Sequence, residues 1–136
     1  MMLVLIILQE EKLHYRVEMS EKKLNKLEGG KFLEQLKSLI TQTLDDGKAQ
    51  DIKLLDVSKS TDICHYMFVA TGTSSRHITS LADRIIFDIK HSGMDVEYRC
   101  EGRIEGSWVL IDCFDIIIHL FLPESREEYR IEELWA

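Results

Sequence analysis

A buried strand that passes through a glycine-serine turn directly into an amphipathic helix leaves a chain few folds to choose from. Residues 65–89, HYMFVATGTSSRHITSLADRIIFDI, carry that pattern. Cys64, Tyr66, Phe68 and Ala70 point to one face of the strand, and His65, Met67, Val69 and Thr71 to the other. Most of these are apolar on both faces, which suits a central strand covered on both sides. Thr71-Gly72-Thr73-Ser74-Ser75 has the small polar residues of a tight turn. Ser74 or Ser75 can cap the donors at the start of the helix that follows. In that helix Ile78, Leu81, Ala82, Ile85, Ile86 and Ile89 recur at i, i+3, i+4, i+7, i+8 and i+11. Arg76 and His77 put positive charge in the first turn, where the helix dipole favours anions. Either a negative group lies nearby or both side chains turn to solvent.

The flanking segments extend this unit. Phe32, Leu36, Leu39, Ile40 and Thr43 or Leu44 share one face of a helix that starts at Lys31, with Gly47 as its stop. A strand is predicted over Asp51–Val57 and another over Val96–Glu101, where Val96, Tyr98 and Cys100 alternate with Glu97, Arg99 and Glu101. After the Gly102–Ser107 loop, Trp108–Cys113 and Ile116–Leu122 read as an antiparallel hairpin. Pro123 ends it, and Ser125-Arg126-Glu127-Glu128 reads as a capping box opening a last helix through Tyr129, Ile131, Leu134 and Trp135. The order predicts one α/β (α+β) domain over residues 31–136, a mixed five-stranded sheet with helices packed on it.

Residues 1–30 read as an extension upstream of the domain, and of the true start if that is Met19. Met1–Leu8 is apolar but has no basic residues before it and no cleavage site after it. It is far short of the roughly 20 residues needed to span a bilayer. Cys64, Cys100 and Cys113 are odd in number, contain no CxxC and sit in apolar strand patterns. Reduced thiols in a reducing, cytoplasmic compartment follow. The formal charge is −7, and residues 101–136 hold nine acids against three bases, so −6 of it lies in the last quarter. Phosphate repulsion there opposes direct RNA binding, whereas a basic protein surface is attracted.

Enzyme chemistry finds little to stand on. Two-metal phosphoryl transfer wants a close carboxylate pair beside the glycine-serine turn. No D-x-D at strand spacing is present, and Asp112 and Asp115 lie three apart across a turn. Ser74, His77 and Asp83 fall in one turn-helix segment without a GxSxG elbow. His65, His77 and His119 with Cys64 have no known zinc spacing. No catalytic residue, metal or cofactor is predicted. For binding, Trp108 begins a strand at a loop rim, where it is either an interface anchor or core packing. Glu101, Asp112 and Asp115 are expected to supply carboxylates beside it for Arg and Lys of a partner. His119 is either a hydrogen-bonded structural residue or a second partner contact. Arg126 is read as a structural ion pair within its helix.

The turn ATGTSSRH (Thr71, Gly72, Ser74, Ser75, Arg76, His77), Asp83, Glu101-Gly102, Trp108-x-Leu-Ile-Asp112, Asp115-Ile-Ile-Ile-His119 and Ser125-Arg126-x-x-Tyr129-x-Ile-Glu132-x-Leu134-Trp135 resemble the ribosomal silencing factor RsfS (Iojap-like) family. The resemblance spans residues 31–136 and implies a nucleotidyltransferase-like fold without transferase chemistry. It also implies binding to the large ribosomal subunit through large-subunit ribosomal protein fourteen, which blocks joining of the small subunit and lowers translation when nutrients are short. It allows a homodimer. The family often has Gly where this chain has Phe114, which bears on the shape of the hairpin turn. The rival function is a nucleotide-dependent enzyme using the Gly72–His77 turn.

Overall fold

The computed structural model describes residues 30–135, so the expectations for the N-terminal extension lie outside the described residues. Helix α1 (Gly30–Asp46) leads into β1 (Gln50–Asp56), β2 (Tyr66–Thr71) and α2 (Ser75–His91). Then come β3 (Arg99–Glu101), β4 (Trp108–Asp112), β5 (Ile116–Phe121), α3 (Pro123–Tyr129) and α4 (Ile131–Trp135). The five strands form one mixed sheet in the order β1-β2-β5-β4-β3, with β2 and β5 parallel and the other neighbours antiparallel. β2 is interior and buried on both faces as expected, but the middle strand is β5, all six residues of which are buried.

The period-2 alternation of the strands divides their side chains between two cores. On one face Phe68, Ala70, Val109, Ile111, Ile116, Ile118 and Leu120 meet Leu36, Ile40 and Leu44 of α1 and Ile78, Leu81, Ala82, Ile85 and Ile89 of α2. On the other, Met67, Val69, Leu110, Ile117 and Phe121 meet Ile131, with Trp108, Tyr129 and Trp135 partly buried against them. The two helices of the first face also share a polar contact, Thr43 Oγ1 to Asp88 Oδ2 at 2.6 Å. Gly47 ends α1, though not by a left-handed backbone. Lys48 takes that conformation (φ 62), while a Cβ on Gly47 would come within 2.5 Å of Leu81 Cδ2. The glycine is there so that α1 and α2 can approach.

Three predicted boundaries shift for local reasons. The 96–101 alternation holds, with Val96, Tyr98 and Cys100 packed on the first core. Only Arg99–Glu101 pair as strand, because their partner β4 ends at Asp112, opposite Arg99. The last helix is two helices. Pro123 occupies the first turn, where its fixed φ and missing donor cost nothing, and the N-cap is Leu122, without a side-chain cap bond. Ser125 therefore lies inside α3 and forms no capping box, contrary to the sequence expectation. Arg130 then turns left-handed (φ 45), its N–H bonding to the Arg126 carbonyl at 3.0 Å. That turn lets Ile131, 1% exposed, reach the second core.

The hairpin turn between β4 and β5 resolves the departure at Phe114. Phe114 adopts φ 71, a conformation glycine takes freely. Asp112 Oδ1 accepts the Phe114 N–H at 2.9 Å and closes an Asx turn that holds this strained residue in place.

Candidate functional site

The motif turn is built as a close junction between β2, α2 and α1. Gly72 is buried, and a Cβ there would sit 2.7 Å from Ile78 Cγ1, so the backbone needs the glycine for space. Ser74 is the N-cap, its hydroxyl accepting the His77 N–H at 3.1 Å. His77 Nδ1 accepts the Thr73 N–H at 2.9 Å while Nε2 faces the Gly47 carbonyl oxygen at 2.8 Å. Both contacts are satisfied only when Nε2 carries the proton, so the ring is a neutral strut between the turn and the end of α1. Of the two readings for the first-turn cations, Arg76 is exposed to solvent and His77 is internal. Thr71 is buried and its Oγ1 accepts from Arg126 Nη1 at 2.8 Å. Ser75 opens α2 against the loop glycine Gly106, and exposed Asp83 pairs with Arg103.

The residues expected to bind a partner separate into two groups. Trp108, at the start of β4, is half-buried. Its indole N–H donates to His119 Nδ1 at 3.0 Å, and its ring lies 5.1 Å from Phe121 and 4.7 Å from Tyr129, centroid to centroid. His119 is 4% exposed, which favours the structural reading over a partner contact. Its Nδ1 must be the acceptor, so it holds the indole in place as a base, not as a cation.

Asp112, in contrast, is 1% exposed, its carboxylate turned to the hairpin backbone. It cannot meet a partner's cation, contrary to expectation. Asp115 sits in the turn beyond it, 3.8 Å from His65 Nε2, and its carbonyl accepts the His65 and Tyr66 N–H groups at 2.8 and 3.0 Å. Asp112 lies four residue steps along the strand from Trp108, about 13 Å at the usual rise. The structure thus does not bring these two carboxylates beside Trp108. Glu101 is nearer, opposite Leu110 on edge strand β3 and 3.2 Å from Arg99 Nε.

Arg126 is more consequential than its sequence neighbours suggest. Its pair is Glu132 of α4 at 2.6 Å, not an acid of its own helix. Its Nη1 also donates to the Asp51 carbonyl at 2.7 Å and to Thr71 Oγ1. One guanidinium thereby joins β1, the end of β2 and the last helix. An open groove of 680 Å³ beside it is lined by Lys53, Thr71, Arg126, Arg130 and Glu132 among others. Most of its charges are spent on one another, Arg126 on Glu132 and Arg130 on Glu127.

The family described as ribosomal silencing factor during starvation, RsfS, matches residues 31–136. The chain belongs to the RsfS family. A ribosomal silencing factor RsfS of Chromobacterium violaceum is 39% identical over 76% of this chain and 84% of its own length. A Haemophilus influenzae RsfS is 35% identical over 74% of this chain and 98% of its own. A crystal structure of a Chromobacterium violaceum protein superposes with a TM-score of 0.71 at 39% identity, covering 75% of this chain and 84% of that one. The mouse protein named mitochondrial assembly of ribosomal large subunit protein 1 is 33% identical over 79% of this chain and 47% of its own length. Membership makes this chain a ribosome-associated translation regulator, with the RsfS fold of a five-stranded sheet and packed helices.

Proposed function

We propose that this RsfS protein binds the large ribosomal subunit through large-subunit ribosomal protein fourteen and keeps the small subunit from joining by occupying its place. Translation falls when nutrients are short, and no reaction is catalysed. The observation that carries this reading is the aromatic platform of Trp108, Phe121 and Tyr129, with the indole pinned by His119. A rigid, half-exposed Trp is the kind of side chain that anchors protein interfaces. The exposed acids of the last quarter, among them Glu105, Glu124, Glu127, Glu128 and Glu133, suit a basic ribosomal protein and oppose direct contact with RNA. The mouse relative's name, which refers to the large subunit, agrees with the choice of subunit. A cytoplasmic site of action fits, as does the fact that among the described residues no helix is long and apolar enough to cross a membrane.

The nucleotide-enzyme reading of the Gly72–His77 turn has less support. The Ser74 hydroxyl and both His77 ring nitrogens are already engaged within the fold. The test is sedimentation and translation. Purified protein is expected to lower the output of a reconstituted extract and to travel with free large subunits. Migration only with joined ribosomes, or with neither, would overturn the proposal.

A further inference from the structure

The β3–β4 loop holds a side chain that none of the described residues covers. Ile104 is fully exposed (102%), more than any other large apolar residue among those described. A single exposed aliphatic is ordinary on a surface. What sets this one apart is how firmly the loop beneath it is fixed. Gly102 is left-handed (φ 89) and packed so that a Cβ would meet the Trp108 carbonyl oxygen, and Gly106 (φ 66) is seated against Ser75 at the start of α2. The Gly106 N–H closes the turn on the Gly102 carbonyl at 3.0 Å. Arg103 is tied to Asp83 of α2. Beyond Ile104, the Leu122 N–H donates to the Ser107 carbonyl at 3.0 Å and fastens the loop to the end of β5. Two backbone hydrogen bonds, one ion pair and two close glycine packings therefore hold a loop of six residues whose apolar side chain is left uncovered by the described residues.

We infer that this loop is a preformed docking knob, with Ile104 as the anchor that enters an apolar pocket on a basic protein of the large ribosomal subunit. The inference rests on the ribosome-binding reading and deepens it by naming the anchor. An apolar group held rigid before contact loses little conformational entropy on binding, which is how a small anchor becomes an affinity hot spot. The charge around the knob chooses the partner. Glu105 is exposed beside Ile104, Glu101 stands at the base of the loop paired with Arg99 of its own strand, and the one cation in the loop, Arg103, is engaged by Asp83, so Glu101, Glu105 and Asp83 outnumber Arg99 and Arg103. The negative balance attracts a cationic protein surface and repels the phosphates of ribosomal RNA. The loop also runs directly into Trp108, so the knob and the aromatic platform are neighbours along the chain.

The experiment measures binding of the full chain to purified free large subunits, with wild type, Ile104→Asp, Ile104→Val and Glu105→Lys side by side. Ile104→Asp is expected to weaken binding on the order of tenfold or more. Ile104→Val should retain it, and Glu105→Lys should weaken it most at low salt. The melting temperature of Ile104→Asp should move by no more than about 2 °C, since among the described residues the side chain is fully exposed. Equal binding by wild type and Ile104→Asp overturns the knob and leaves the ribosome-binding reading standing. A wild type that fails to bind large subunits overturns both. If Ile104→Asp changes only self-association, or changes binding to protein-free ribosomal RNA to the same degree, the occupant is wrong and the inference falls.

Discussion

Replacing Arg126 by methionine keeps most of the aliphatic stem and removes three hydrogen bonds that join parts of the chain far apart in sequence. Arg126 Nε holds Glu132 Oε1 at 2.6 Å, and Nη1 holds the Asp51 carbonyl at 2.7 Å and Thr71 Oγ1 at 2.8 Å. The Asp51 carbonyl lies at the exposed end of the cluster and can turn to water, so its loss costs little. The expensive consequence is Glu132, whose side chain is 19% exposed beside a guanidinium that is 13% exposed. Stranding one partner of a well-buried pair costs about 3–5 kcal/mol, and the partial exposure here puts the expectation at the lower end, about 3 kcal/mol. For a domain of about 100 residues that corresponds to a fall in melting temperature of roughly 14 °C. Adding Glu132→Gln to the methionine variant removes the stranded charge and should restore about 1 kcal/mol or more. Urea titration followed by circular dichroism reads both effects. A methionine variant that melts within about 2 °C of wild type, or a double variant whose losses simply add, would refute the idea that one ion pair fastens the last helix to the sheet.

Other substitutions probe the remaining contacts. Trp108→Phe preserves the stack on Phe121 and Tyr129 but removes the donor to His119 Nδ1, so thermal melting should report a loss of about 1 kcal/mol. Trp108→Ala also empties the aromatic platform and should cost about 3 kcal/mol, so its effect on ribosome binding has to be read against a lowered melting temperature. Asp112→Ala strips the buried Phe114 N–H of its acceptor and should destabilise by about 2 kcal/mol, whereas Asp112→Asn, which keeps an oxygen in place, should lose clearly less in the same titration. Asp56 accepts from the Ser58 hydroxyl and N–H, which holds its carboxyl below the ordinary 3.8. A depressed carboxyl stabilises the fold above that value and loses its contribution as the pH falls through the folded one. Asp56→Asn should therefore lower stability slightly at neutral pH, where the contribution is fully present, and flatten the acid limb of the profile below about pH 4.

The α1 face, the β2–turn–α2 unit and the β4–β5 hairpin were legible because each depends on neighbours in the chain. Leu36, Ile40 and Leu44 recur at helical spacing, Ser74 caps the helix that follows by accepting an N–H three residues on, and two strands joined by a short turn must pair antiparallel. The family motifs were legible for a related reason, since they are spaced runs of sequence. The last helix was misread where two local rules competed. Ser125 and Glu128 satisfy the capping-box pattern, but Pro123 two residues earlier already starts the helix, and Ile131 then has to turn toward the sheet. The departure at Phe114 could be noticed in the sequence. That Asp112 would be drawn inward to hold its backbone could not.

By itself the sequence determined the five strands and the first two helices, the division of apolar residues between two sheet faces, the excess of acid toward the C-terminus and the family. These follow from periodicity, composition and short-range turn chemistry, which act between residues close in the chain. Only the tertiary structure decided which strand lies at the centre, that Arg126 answers to Glu132, Asp51 and Thr71, that His119 stands beneath Trp108, and that Ile104 is held away from the core. Each of those rests on a contact between segments far apart in sequence. Strand pairing and sheet register set such contacts, and a pattern of residue types leaves several arrangements equally well satisfied until the chain closes on one.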